Sequence, residues 1–381
     1  MLYYLIEYLD RLYDPPGFQV VQFITVRAAL AAVTALFIAL FLGKHIIRWL
    51  RAQQLGEQVR DDVIVSHAHK AGTPTMGGVI ILLSILGATL LWGALQEVYV
   101  WLIVLATAWM GAFGFVDDYI KTVKRDKRGL APRIKVVGQV TLGILVGAVL
   151  YFHPQFAEVR SITYLPFIRD GFIDYAVLGA IGPVDLTWLL YIGVSVFIIT
   201  ALSNSVNITD GLDGLATGVT AFVSLGLLAL TYIAGNVVLA NFLNSIYLPG
   251  AGELAVFAAA MAAACFGFLW YNGFPASVFM GDTGSLALGA AVGAIMLMIK
   301  KELLLPLLGL VYFVEACSVI VQTGYFKYSR WRTGTGQRVF RMAPLHHHYE
   351  AKGEHEAKIV LRFWIIAALA VIATLLVLRI R

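Results

Sequence analysis

Residues 98–121 read VYVWLIVLATAWMGAFGFVDDYIK. From Val98 to Val116 there is no charged side chain. Two aspartates then stand side by side, Asp117 and Asp118, with Lys121 one turn further on. An apolar run of this length matches the roughly 20 residues that a helix needs to cross a bilayer core. Barrel strands would alternate apolar and polar residues, and this run does not. A segment in lipid must satisfy its own backbone hydrogen bonds, so the run predicts a helix. Adjacent carboxylates at its end cost free energy unless a cation or a proton compensates them.

The pattern recurs along the chain. The 381 residues are 60% hydrophobic and 13% charged, with a mean hydropathy of +0.80. Ordinary soluble domains carry about 25% charge. These values exclude a soluble globular protein, and equally a disordered chain, which needs low hydrophobicity and high charge. Apolar runs at 20–43, 75–93, 98–116, 136–153, 184–203, 216–234, 253–271, 284–299, 303–323 and 359–378 predict about ten transmembrane helices. The expected fold is an all-α polytopic membrane protein, one domain over residues 1–381. The first residues carry Glu7, Asp10, Arg11 and Asp14 without a basic leader, so no cleavable signal peptide is expected. Cys265 and Cys317 lie in apolar runs and predict buried thiols rather than a disulfide framework.

Ten spans put both termini on one side. The loops 44–74, 117–135, 204–215, 272–283 and 324–358 then share the other side and hold 19 Lys and Arg, against 7 on the side of the termini. The excess assigns these five loops to the cytoplasm and both termini to the periplasm. The basic residues mark membrane sidedness, and no nucleic-acid partner is expected. The external segment 154–183 mixes β-branched and aromatic residues with Gly-Pro turns, which predicts a short hairpin on the membrane surface. Small residues such as those from Ala28 to Ala35 allow close helix packing, within the chain or across a homodimer.

The five cytoplasmic loops hold nearly all the unusual polar clusters. The first ends in Lys70-Ala71-Gly72-Thr73-Pro74-Thr75-Met76-Gly77-Gly78, where backbone amides at a helix start suit a phosphate and Thr75 suits a cap. The second starts with Asp117-Asp118 and continues through Lys121 to Lys135. Magnesium is a natural compensator for such a pair, because it takes carboxylate and phosphate oxygens together. The third has Asn207, Asp210 and Asp213 at intervals of three, which would share a face on a helical turn. It lacks the spacing and terminal Glu of a calcium loop. The fourth has Asn272 and then Asp282 between glycines, where an N-cap and a ligand are equally open. The fifth contains His346-His347-His348, without the i, i+4 spacing of a helical zinc site. Glu315 and Gln322 lie in the preceding span, where an ionisable residue is a functional suspect.

Acids, lysines, asparagines and histidines thus converge at span ends on one membrane face. Phosphoryl transfer needs such a set. A transporter would place its charges near the bilayer midplane, often in repeated halves. The chain resembles the polyprenyl-phosphate N-acetylhexosamine-1-phosphate transferases, from about Arg27 to Arg362. The resemblance is carried by KAGTPTMGG (70–78), Asp117-Asp118 with Lys121, NITDGLDGL (207–215), FMGDTGS (279–285) and MAPLHHHYE (342–350). The PTMGG and APLHHHYE forms are those of its muramoyl branch; a sister transferase using another UDP-N-acetylhexosamine is the alternative.

The resemblance implies a bacterial inner-membrane enzyme of peptidoglycan synthesis. It implies transfer of phospho-N-acetylmuramoyl-pentapeptide from UDP to undecaprenyl phosphate, with magnesium. By motif, Asp282 becomes the principal metal ligand, with Asp118 supporting it. Asp117 meets the lipid phosphate, and these three aspartates form the catalytic set. Lys70, Thr75, Lys121, Lys135, Asn207, Asp210, Asp213, Asn272, Gln322, His346, His347 and His348 become substrate-binding residues. Two departures stand out: Lys327–Arg338 is longer than the family pattern, and Glu354 stands where a tryptophan is expected.

Overall fold

Apolar runs closed by glycine, proline or charge fold as helices. The computed structural model describes residues 1–52, 72–124, 126, 128–168, 171–181 and 184–379. In chain order its helices are α1 Leu2–Tyr13, α2 Ile24–Ala52, α3 Gly78–Trp92, α4 Val98–Thr122, α5 Pro132–Phe152, α6 Tyr175–Gly179, α7 Thr187–Thr209 and α8 Leu215–Ala234. There follow α9 Val237–Phe242, α10 Glu253–Asn272, α11 Gly281–Met298, α12 Leu305–Leu308, α13 Leu310–Thr333, α14 Leu345–Glu350 and α15 Glu356–Val377. Among the described residues, eight helices are long and apolar enough to cross a membrane: α2, α4, α5, α7, α8, α10, α11 and α15.

Two expected spans differ from simple rods. The 15 residues of α3 are apolar, but a helix of that length is only about 22 Å long. The run expected at 303–323 is broken, and its two parts, Glu302–Leu308 and Leu310–Thr333, meet at 84°. Pro306 lacks an amide hydrogen in the first turn of α12, and Gly309 leaves the helical region at φ −97°, ψ 34°.

The packing between α2 and α10 is built on small residues. Ala31, Ala35 and Ala39 are fully buried on α2. A methyl at Gly267 of α10 would come within 2.6 Å of the Ala39 Cβ, and one at Gly43 within 2.7 Å of the Tyr271 ring. The stripe that left a homodimer open is therefore used inside the chain. At the far end of the same pair, Arg27 makes a bidentate ion pair with Glu253, at 2.5 and 2.6 Å. Glu253 also accepts from the Ala94 amide at 3.0 Å. Both side chains are buried, so each compensates the other.

The expected hairpin forms. Strands β1 Ile162–Tyr164 and β2 Phe172–Asp174 pair antiparallel, with Thr163 opposite Ile173. A second, smaller pair joins β3 Ala180–Ile181 to β4 Val184–Asp185. This segment covers the end of α11 remote from Asp282. The Tyr164 amide donates to the Lys300 carbonyl at 2.9 Å, and Lys300 Nζ donates to the Tyr191 hydroxyl at 2.7 Å. Burial pushes the Lys300 ammonium down to about 8.

The Arg27–Glu253 pair yields a direct test. Arg27→Met should cost about 3–5 kcal/mol, because it leaves Glu253 buried and uncompensated. The double variant Arg27→Met/Glu253→Leu should recover most of that loss. Thermal unfolding in detergent micelles measures both; an unchanged midpoint in the single variant would contradict the pairing.

Candidate active site

The first turn of α11 is where four helices meet. A methyl at Gly78 of α3 would overlap the Gly284 backbone, and one at Gly114 of α4 would overlap the Asp282 carbonyl. Only glycine permits approaches this close. Backbone pairing adds to them: the Phe279 amide donates to the Pro74 carbonyl, the Gly77 amide to Phe279 and the Gly78 amide to Met280, each at 2.8 Å. The segment from Pro74 into the start of α3 is therefore tied by backbone hydrogen bonds to 279–280. Thr75 does not cap α3, whose N-cap is Gly77; it lies instead beside Gly281. Lys70 lies outside the described residues.

Asp282 was open between cap and ligand, and the structure separates the two roles. Asp282 is inside the first turn of α11, which begins at Gly281 rather than at 284. The cap comes from another helix. Asp118 Oδ1 accepts from the Asp282 amide at 3.1 Å. Asp118 Oδ2 accepts from the Thr283 amide at 2.9 Å and the Thr283 hydroxyl at 2.6 Å. A carboxylate at a helix N-terminus satisfies orphan amides and favours the helix dipole. Gly281 has a φ of +74°, and a methyl there would come within 2.6 Å of Asp118 Oδ2.

Held this way, the Asp282 carboxylate meets three side chains. Its Oδ1 accepts from Asn207 Nδ2 at 2.8 Å. Its Oδ2 lies 2.5 Å from Lys135 Nζ and 3.3 Å from Lys121 Nζ. Both lysines also reach Asp117, Lys121 at 2.5 Å and Lys135 at 3.0 Å. The Leu130 amide adds a bond to Asp117 Oδ1 at 2.7 Å. Two acids and two ammonium groups thus alternate in a closed cycle. The Asp117 side chain is sealed, while the Lys121 side chain is 37% exposed, so the cycle is reached from the lysine side. Asp117, Asp118 and Asp282 each offer an oxygen within 4.8 Å of the others, which suits a hard cation.

The other expected residues surround this cluster in different ways. Asn207, Asp210 and Asp213 do not share a helical face. Helix α7 ends at Thr209, and the turn through Gly214, at φ +77°, redirects the chain. Asp213 instead accepts from the Ala276 amide at 2.9 Å, and its own amide donates to Glu356 at 2.7 Å. Asn272 accepts from the Thr217 hydroxyl at 2.7 Å and donates to the Val278 carbonyl at 3.0 Å. Both hold the loop that leads to Asp282.

Gln322 clamps a second loop: it accepts from the Val339 and Phe340 amides at 3.0 and 2.9 Å and donates back to the Phe340 carbonyl at 3.1 Å. His348 Nδ1 accepts from the Arg341 amide at 3.0 Å, and His347 Nδ1 lies 2.6 Å from Glu350. His346 is fully buried, packed against Gly211 so closely that a methyl there would collide with its Nε2. Burial pushes its imidazole below the ordinary value. The longer Lys327–Arg338 stretch continues α13 to Thr333 and folds back through the Gln337 amide, which donates to Ser329 Oγ at 2.8 Å. Glu354 pairs with Arg362.

The residues that sequence reasoning left out of the site are its supports. Thr283 and Glu356 carried no sequence signal beyond their type. Glu315 did, as a charge within a span. It is fully buried and accepts from the Leu345 and His346 amides at 2.8 and 3.1 Å, with His346 Nδ1 at 3.2 Å. Glu315→Ala should therefore cost about 1–3 kcal/mol, the penalty for stranding buried donors. Glu315→Gln, which keeps one acceptor, should lose less. Thermal unfolding measures the order, and equal losses in both variants would contradict the anchoring role.

Comparison with known proteins agrees with this geometry. Residues 100–300 match the model of glycosyl transferase family 4, and residues 70–82 match phospho-N-acetylmuramoyl-pentapeptide-transferase signature 1. The chain is 67% identical to the phospho-N-acetylmuramoyl-pentapeptide-transferase of Salinibacter ruber, 51% to that of Chloroherpeton thalassium and 46% to that of Flavobacterium johnsoniae; each match covers the whole of both chains. The signature falls on the loop that pairs with the Asp282 segment, and the family model spans both aspartates of α4, Asn207 and Asp282. The chain belongs to glycosyl transferase family 4, among the phospho-N-acetylmuramoyl-pentapeptide-transferases.

Proposed function

We propose that this protein transfers phospho-N-acetylmuramoyl-pentapeptide from its UDP carrier to undecaprenyl phosphate, forming lipid I and releasing UMP. The observation that carries the reading is the cycle of Asp117, Lys121, Asp282 and Lys135 at the ends of three apolar helices, α4, α5 and α11. A lipid phosphate and a soluble nucleotide sugar can both reach such a place. The lipid phosphate oxygen attacks the sugar-linked phosphorus; the bond to the bridging oxygen breaks, and UMP departs with that oxygen. A phosphate monoester is already largely ionised near pH 7, so attack needs no strong base. Asp117 then serves by holding Lys121 and Lys135 rather than by removing a proton.

Magnesium suits the donor set, because it binds through one or two carboxylates together with substrate phosphates. Asp282 would be its main ligand, with Asp118 and Asp117 beside it. When bound, it would neutralise charge on the diphosphate. Lys121 and Lys135 would bind and orient the phosphate groups, since both reach Asp117 and Asp282 Oδ2 beside the place a metal would occupy. Lys70, Thr75, Asn207 and Asp210 would line the nucleotide-sugar site. Asp213, Asn272, Gln322, His346, His347 and His348 would shape it through the loops they hold.

The sidedness follows from the basic loops. Counting α3 and the broken α12–α13 as spans gives ten crossings, and the basic loops then support a reading with the aspartate end of α4 on the cytoplasmic face of the bacterial inner membrane and both termini in the periplasm. The uridine carrier is cytosolic, which fits that face.

Purified protein with magnesium and undecaprenyl phosphate should release UMP from UDP-N-acetylmuramoyl-pentapeptide and not from UDP-N-acetylglucosamine. Release from the second sugar alone would move the chain to a sister activity. Asp282→Asn should lower turnover by about 10³-fold or more, since it removes a group that acts on the reacting phosphates. Turnover near the parent level would refute the Asp282 assignment.

A further inference from the structure

An apolar cavity of about 190 Å³ lies between α13 and α15, apart from the aspartate cluster. Leu310 and Val314 form one wall, Ile359 and Phe363 the other, and Leu345 and Tyr349 of α14 close the end. An apolar void near this volume stays dry and takes up hydrocarbon. Its surroundings are exposed and apolar: Phe313, Leu361 and Ile366 all face outward. In a membrane-spanning bundle such a surface meets acyl chains, so hydrocarbon is the occupant at hand.

The rim supplies a second, independent feature. Arg362 lines the cavity. Lys358, exposed, lies one turn before it on α15, and Lys352 sits 5.3 Å over the Tyr349 ring. Glu354 pairs with Arg362 and answers only part of this charge. An apolar slot with a basic edge matches a lipid with an anionic headgroup. The other side of α14 presents His346 to Gly211. The helix therefore stands between the cavity and the Asp210–Gly214 turn, which separates the slot from the transferase substrates.

We propose that this cavity binds one acyl chain of an anionic phospholipid, with the phosphate at Arg362 and Lys358. Its occupant supports the apolar side of α14, and through His346 it steadies the turn that follows Asn207 and the end of α7. The assignment to the cytoplasmic leaflet rests on the sidedness given above; the binding itself does not.

Native mass spectrometry tests the proposal on the full chain, released from vesicles of equal phosphatidylglycerol and phosphatidylcholine. The parent protein should retain one phosphatidylglycerol, with at least about tenfold preference over phosphatidylcholine. Leu310→Trp, which fills the cavity, should lower retention about tenfold; Ile366→Trp at its open edge is the second filling variant should the first fail to fold. Arg362→Gln should keep a lipid and lose the preference. Undiminished retention in a folded filling variant would overturn the proposal. So would displacement by added undecaprenyl phosphate, which would give the slot to the substrate chain. Retention is read without turnover, so either failure leaves the transferase reading untouched.

Discussion

The site depends on one interaction, the Asp118 carboxylate capping a helix to which it does not belong. Asp118 lies near the end of α4 and accepts three donors from the first turn of α11. A buried carboxylate at a membrane boundary is expensive unless donors and a helix dipole answer it, and here both do. The result is positional. Residue 282 follows from 281, whose glycine backbone lies against Asp118, so the Asp282 side chain is delivered to the lysines and to Asn207. Gly78 and Gly114 matter for the same reason, because any side chain there would hold the helices apart.

Charge is then arranged in two layers. Asp118 faces backbone amides and is sealed inside the bundle. Asp117, one residue earlier and about 100° round the helix, faces the two ammonium groups. Adjacent acids thus do different work. The cycle with Asp282 keeps its cations close to the place where phosphate oxygens would come, while the apolar helices around it keep the lipid side dry. A second set of buried acids acts on loops: Asp213 holds Ala276, Glu356 holds Asp213 and Glu315 holds α14.

Much of this was legible in the sequence. Continuous apolar runs predicted the helices, and the clustering of Asp117, Asp118, Lys121, Lys135, Asn207 and Asp282 followed from loop motifs. What was not legible depends on contacts between distant segments. The break at Gly309 hides inside a hydrophobic run, since hydropathy does not register a change in ψ. The threefold spacing of Asn207, Asp210 and Asp213 suggested one face, but tight packing of His346 on Gly211 and the left-handed Gly214 unwind the chain there. Capping in trans has no local pattern at all: Asp118 and Thr283 are 165 residues apart. The same holds for Gln322, whose partners are backbone groups, and for Asn272, held by the Thr217 hydroxyl and the Val278 carbonyl.

The central claim is that Asp118 positions Asp282 for a metal ion through Thr283, which touches neither substrate nor metal. Manganese binding followed by electron paramagnetic resonance tests it directly, in the parent protein and in Thr283→Val. The account predicts metal affinity about tenfold weaker in the variant, as expected when one charge-assisted hydrogen bond of about 1.5–3 kcal/mol is removed from the cap, with the thermal midpoint largely kept. Parent-like affinity in the folded variant would contradict it.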